Sequence, residues 1–100
     1  MKVIKFTINE DYYENFKVLC SKDDITVKRK LNVLVSQDTE TTDMKAYFPS
    51  DYNEKIRKVT LKINEEIYKG IMKKCGKLDL KVNKYVTYLI YKYLHDMNIK

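Results

Sequence analysis

Two short segments of the chain alternate apolar and polar residues. Their apolar sides consist of Ile4, Phe6 and Ile8 in the first segment and Val59, Leu61 and Ile63 in the second. Their opposite sides consist of Val3, Lys5 and Thr7, and of Lys58, Thr60 and Lys62. Because successive side chains of a strand point to opposite faces, this period of two predicts a half-buried β-strand at each place.

Two helical patterns follow each predicted strand. Asn9 and Asn64 precede acidic pairs, and an asparagine oxygen at this position accepts hydrogen bonds from the first helical turn. Apolar residues three and four positions apart then predict a first helix, with Tyr12, Tyr13, Phe16, Leu19 and Cys20 in one segment and Ile67, Tyr68, Ile71 and Cys75 in the other. Each segment then predicts a second helix. Its apolar residues are Ile25, Leu31, Leu34 and Val35 in the first segment and Leu80, Tyr85, Val86, Leu89, Ile90, Tyr93 and Leu94 in the second. Thr26 is a favourable N-cap for the second helix of the first segment. Lys81, at the matching position of the other segment, is not a favourable N-cap.

The two sets of elements align with each other at an offset of 55 residues. Between residues 3 and 35 and residues 58 and 90, nine of 33 pairs are identical and no gap is needed. The identities include Asn9 with Asn64 and Cys20 with Cys75. The apolar positions recur in the same order, so we interpret the pattern as an internal duplication.

The duplication divides the chain into three parts. Residues 1–38 form the predicted first half, 39–57 a connector and 58–100 the second half. The connector is polar, contains the only proline (Pro49) and has no sustained period, apart from a helical turn expected after Ser50. One strand and two helices leave both strand edges unpaired, so we expect the two strands to pair antiparallel over four helices. The predicted fold is mainly α with a short two-stranded β-ribbon, the halves forming an intramolecular pseudo-dimer within one compact domain.

This order of elements, occurring twice, resembles the ribbon-helix-helix family of DNA-binding proteins, in its tandem single-chain form. The resemblance covers Val3 to about Glu40 and Lys58 to about Asn98, and includes the openings Thr26-Val27-Lys28 and Lys81-Val82-Asn83 of the second helices. It implies that the ribbon enters the major groove and reads bases through Val3, Lys5, Thr7, Lys58, Thr60 and Lys62. It also implies that backbone N–H groups at Thr26, Val27, Lys28, Lys81, Val82 and Asn83 bind DNA phosphates. Val3 is apolar at an outward position, and Lys30 stands where Tyr85 stands in the second half, so both depart from the pattern.

The charge distribution favours a polyanionic partner. The chain has a net charge of +6, and all of this excess lies in residues 58–100, with ten lysines against four acidic residues. We therefore expect the second half to supply most of the nonspecific attraction to double-stranded DNA. Self-association along DNA, or exchange of strands between chains, remains open.

The sequence offers no candidate chemistry for catalysis. It contains no glycine-rich phosphate loop, no nucleophile with a nearby base and no metal-ligand spacing, so we predict neither an enzyme nor a bound cofactor or metal. Cys20 and Cys75 are expected to be buried thiols, and His95 a surface residue. No apolar run could cross a membrane and no leader opens the chain, which favours a cytoplasmic protein.

Two functions fit this pattern. The first is sequence-specific DNA binding by a transcriptional repressor, or by an accessory factor in plasmid transfer or partition. The second is a protein-interaction module, such as an antitoxin or assembly adaptor, on the same scaffold. Five of the six outward strand positions carry side chains that form hydrogen bonds, which favours DNA.

Overall fold

The chain folds as strand, helix, helix and then repeats that order. The computed structural model describes residues 2–37, 44–50 and 54–97. The elements are β1 (Lys2–Asn9), α1 (Glu10–Lys22), α2 (Val27–Gln37), a 3-10 helix (Met44–Tyr47), β2 (Ile56–Ile63), α3 (Glu65–Leu78) and α4 (Val82–Asp96). The predicted class, mainly helical with one two-stranded antiparallel sheet, is confirmed.

The two strands pair over their whole length. The register runs from Lys2 opposite Ile63 to Asn9 opposite Ile56, with Lys5 opposite Thr60 near its centre. The inner face is buried except for the half-buried Leu61, and comprises Ile4, Phe6, Ile8, Val59, Leu61 and Ile63. Burying a side chain such as Phe6 stabilises the fold by roughly 1.5–3 kcal/mol. The predicted division into an inner and an outer face is therefore correct, although β2 begins at Ile56, two residues before the predicted start at Lys58.

The helix starts follow the predicted capping. Asn9 Oδ1 accepts from the backbone N–H groups of Asp11 (3.0 Å) and Tyr12 (3.2 Å). Asn64 Oδ1 accepts from the N–H of Ile67 at 2.8 Å. Because each asparagine ends the extended segment and opens a helix, the strands lead directly into α1 and α3.

The first three helices bury one face each. Their fully buried residues are Tyr13, Phe16 and Cys20 in α1, Leu31 and Val35 in α2, and Ile67, Ile71 and Cys75 in α3. Half-buried residues pack at the edges of these faces and include Tyr12, Leu19, Ile25, Leu34, Tyr68 and Leu80. Lys30, which departs from the apolar pattern, places its ammonium group 4.3 Å from the centre of the Tyr93 ring. This contact lets a lysine occupy the edge of the core.

Helix α4 differs from the other three because it is buried on all sides. Every residue from Tyr85 to Tyr91 is buried, as is Leu94. The prediction of a single apolar face is therefore too narrow for α4. The helix packs against β1, α1, α2, α3 and the 3-10 helix, so no stretch of its middle turns faces solvent.

The connector contributes to this burial. Tyr47 packs edge-on against Tyr88, with ring centres 5.8 Å apart, and Phe48 packs against Tyr91 at 5.2 Å. Although the sequence predicts a polar connector, two of its aromatic rings cover a side of α4. The helical turn observed in the connector lies at Met44–Tyr47, before Ser50, and residues 51–53 lie outside the described part of the chain.

Two hydrogen bonds fix α4 to the end of β1. Thr87 Oγ1 donates to the Thr7 carbonyl oxygen at 2.9 Å, and the N–H of Asn9 donates to the Tyr91 hydroxyl oxygen at 2.9 Å. Asn9 is only 2% exposed, so its N–H has little access to water. These bonds set the position of the strand end relative to the helix.

Tyr91→Phe should therefore destabilise the protein by about 1–3 kcal/mol, because it leaves the buried N–H of Asn9 without its hydrogen-bond acceptor. The free energy of unfolding from urea titration measures the effect. Tyr93→Phe is the matched control, because Tyr93 is only half-buried. Equal stability of the two variants would contradict the proposed role of this bond.

The two thiols should react only when the fold opens. Cys20 is 2% and Cys75 4% exposed, and burial raises the pKa of both thiols. At about pH 8 we expect both to react slowly with a disulfide reagent in the folded protein and rapidly in denaturant. An added thiol in Val18→Cys, at a position that is 51% exposed, should react at once in the folded state. Native thiols that reacted as fast as this control would contradict the burial.

Candidate nucleic-acid interface

The outer face of the ribbon is exposed along both strands. All six predicted base-reading residues are exposed: Val3, Lys5, Thr7, Lys58, Thr60 and Lys62. The strand register places them in three cross-strand rows, namely Val3 with Lys62, Lys5 with Thr60, and Thr7 with Lys58. Each row thus contains one lysine and one uncharged residue, and none of these six residues is acidic.

This arrangement determines what the face can bind. A lysine ammonium group offers three donors, and a threonine hydroxyl offers a donor and acceptors. Successive outward residues of a strand lie roughly 6.5–7 Å apart, and neighbouring strands lie about 4.8 Å apart. The face is therefore a narrow positive ridge with hydrogen-bonding groups at regular intervals, of a width that a DNA major groove admits.

The two predicted phosphate-binding helix starts differ in their capping. Thr26 Oγ1 accepts from the N–H of Arg29 at 3.2 Å, so its hydroxyl caps α2. Among the described residues, the Lys81 side chain makes no such bond at the start of α4. Asn83 Oδ1 instead accepts from the N–H of Lys84 at 2.8 Å. The predicted difference between Thr26, a favourable N-cap, and Lys81, an unfavourable one, is confirmed.

The valines at these helix starts belong to the core. Val27 and Val82 are half-buried and pack against the buried cluster, whereas Thr26, Lys28, Lys81 and Asn83 are exposed. Only backbone N–H groups of the two valines are therefore available for an anion.

One depression joins the ribbon to the start of α4. Its volume is about 510 Å³, and its wall includes Thr7 of the ribbon together with Lys81 and Asn83 of the helix start. The hydrogen bond from Thr87 to Thr7 lies at the same place and holds the strand end beside the helix. The structure thus brings together residues of the two predicted sets, 74 and more positions apart in the chain.

The start of α2 has no such junction with the ribbon among the described hollows. Thr26 and Val27 line a hollow of about 390 Å³ whose other residues come from α1 and the following turn. Lys28 lies exposed in the first turn of α2. Of these two hollows, only the depression beside α4 combines strand and helix groups.

Seven residues of this depression lie outside the two predicted sets: Phe48, Ile56, Asp79, Leu80, Lys84, Thr87 and Tyr91. Ile56 extends the outward row of β2 by one position, but an apolar residue does not continue an alternating pattern on its polar side. Lys84 aligns with Arg29 at the 55-residue offset, so a shared basic position was available as a signal. No sequence signal pointed to Phe48, because it lies in a segment without periodicity. The Phe48 ring centre lies 5.8 Å from the Lys84 ammonium group.

Several groups on α1 and α3 have a shifted pKa. Hydrogen bonds from Lys17 and Arg57 lower the pKa of the Glu14 carboxyl group, although burial opposes the shift. Burial raises the pKa of the Tyr13 hydroxyl, while nearby Arg57 opposes this. Glu14 Oε1 lies 2.6 Å from Arg57, so this contact fastens β2 to α1. The candidate interface is built from lysines, threonines and backbone amides.

Two features are absent from the described part of the chain. No group of three or more His, Cys, Asp or Glu residues lies close enough together there to hold a metal ion. None of the described helices is both long enough and apolar enough to cross a membrane.

The interpretation of this surface depends on its own geometry and chemistry. Comparison of the chain with protein-family models, with curated proteins and with solved structures finds no match.

Proposed function

We propose that this protein binds double-stranded DNA sequence-specifically by inserting its β-ribbon into the major groove. The observation that carries the proposal is the outer face of the ribbon, where all six side chains are exposed and three of them are lysines. The opposite face of the same strands is buried. A ribbon held rigidly from below, with donors and acceptors above, has the shape and chemistry of a major-groove reader.

The helix starts support the same proposal. Exposed Lys81 and Asn83 lie around the depression that Thr7 also lines. A helix N-terminus attracts anions, and lysines strengthen this attraction. DNA seated on the ribbon would bring a phosphate to this point, where it fixes the register of the ribbon on the bases.

A pseudo-dimer of two ribbon-helix-helix halves is part of the proposal. Lys5 lies opposite Thr60, and these residues are also counterparts at the 55-residue offset. The strand register is therefore the one that a two-fold axis through this pair would generate. Asp24 and Asp79, again counterparts, both have φ of 54°.

The turns that follow α1 and α3 add to this support. The N–H of Ile25 donates to the Cys20 carbonyl at 3.0 Å, and the N–H of Leu80 donates to the Cys75 carbonyl at 3.0 Å. Each turn borders a hollow, one lined between Lys17 and Val27 and the other between Met72 and Val82. Every residue of the first lining, shifted by 55, is a residue of the second. An ancestral duplication accounts for this agreement.

The second half is proposed to dominate nonspecific attraction to DNA. It carries the net charge of +6, including Lys58 and Lys62 on the ribbon and Lys81 and Lys84 beside it. Such a protein would act in the cytoplasm, without catalysis, as a repressor or as an accessory factor in plasmid transfer or partition. The competing role, a protein-interaction module, is an outcome of the test below.

Lys62→Ala should weaken binding to the cognate DNA roughly tenfold, because it removes a base-reading donor. The measurement is a gel shift at two salt concentrations, with the DNA upstream of the protein's own coding region and a scrambled fragment. Lys81→Ala should weaken binding to both fragments and reduce the salt slope by about one, as loss of one phosphate contact predicts.

Lys73→Ala is the matched control, since it removes the same charge from an exposed position on α3. Equal effects of Lys62→Ala and Lys73→Ala would argue against base reading by the ribbon. Equal and steeply salt-dependent binding of both fragments would indicate only nonspecific attraction of DNA to a basic surface, and would contradict sequence-specific reading. No binding to either fragment would favour the protein-interaction module.

A further inference from the structure

The outer face of the ribbon lacks the symmetry of its inner face. Under the 55-residue correspondence the inner pairs are all apolar: Ile4 with Val59, Phe6 with Leu61, and Ile8 with Ile63. The outer pairs differ in chemistry at every position: Val3 with Lys58, Lys5 with Thr60, and Thr7 with Lys62. The core therefore keeps the two-fold pattern, while the exposed surface has lost it.

Resting on the proposed function, we infer that one copy of the chain reads a non-palindromic DNA site in a single orientation, with Val3 in contact with a thymine methyl group. A symmetric protein dimer presents the same side chains to both half-sites, so its preferred DNA is palindromic. This ribbon presents different groups at each pair of symmetric positions. Rotating the ribbon by 180° about its two-fold axis would place Val3 at the position of Lys58.

Val3 determines the chemistry at one end of the ribbon. It is 47% exposed and pairs across the strands with Lys62. A valine side chain has no donor or acceptor, so it gains free energy in the groove only against an apolar group. The C5 methyl of thymine is the apolar group that the major groove presents. Lys62 beside it donates to acceptors such as those of guanine, so this row favours a thymine near a guanine.

The asymmetry of α4 agrees with a single orientation. The end of β1 is fixed to α4 through Thr87 and Tyr91. At the offset of 55 residues the positions of Thr87 and Tyr91 correspond to Asn32 and Ser36 of α2, where Ser36 Oγ donates to the Asn32 carbonyl of the same helix at 3.0 Å. The two ends of the ribbon thus differ in the contacts that support them and in their proposed base-reading residues.

The test begins with selection of bound fragments from a random DNA library by the full chain. The shortest selected fragment that binds one copy is then made with uracil replacing each thymine in turn, which removes one methyl group at a time. We expect a site without two-fold symmetry. We also expect one uracil position to weaken binding about fourfold, as loss of one buried methyl group predicts.

Three variants assign that effect. Val3→Ser should abolish the uracil penalty at that position, and Val3→Thr, which keeps a methyl group, should retain it. Val18→Ser is the matched control, because Val18 is 51% exposed but lies on α1, and it should leave the penalty unchanged. A palindromic single-copy site, or a uracil penalty unaffected by Val3→Ser, would overturn the inference while leaving DNA binding intact. Failure to enrich any sequence would overturn the proposed function itself, and this inference with it.

Discussion

Antiparallel pairing of β1 and β2 is the contact on which the rest of the structure depends. Each strand alone would leave two unpaired edges and an apolar face without a partner. Pairing satisfies one edge of each strand and joins the apolar faces of residues that lie more than 50 positions apart in the chain. The helices then have one continuous surface to pack against, and Phe6, Ile8 and Ile63 are its most deeply buried residues. Because only one face of a ribbon can be covered in this way, the opposite face remains exposed.

Helix α4 converts this layered arrangement into an asymmetric core. It is surrounded by β1, the other helices and the connector, and three of its four tyrosines, Tyr85, Tyr88 and Tyr91, are buried. The hydroxyl of Tyr91 accepts the N–H of Asn9, the residue that also caps α1. The end of β1, the start of α1 and the helix α4 therefore meet at Asn9. A disturbance of α4 would reach both the core and the edge of the proposed interface.

The proposed function follows from this division between faces. Residues on the inner face are constrained by packing, so their apolar character recurs in the two halves. Outward residues meet no such constraint and differ at each corresponding position. A single chain with two non-identical halves can thus carry two different outer surfaces, which a dimer of identical chains cannot. The depression lined by Thr7, Phe48 and Lys81 exists at the α4 end because the connector supplies one of its walls.

The sequence by itself determined the elements and their inner faces. The period of two at Ile4, Phe6 and Ile8 and the asparagine caps at Asn9 and Asn64 are local signals, and both hold in the structure. Tertiary structure alone decided that Thr87, Tyr88 and Tyr91 are buried, that Phe48 covers α4, and that Thr7 adjoins Lys81. Local periodicity reports which side of an element meets its first neighbour. It carries no information about a second neighbour from a distant part of the chain, and α4 is buried all round because it has several.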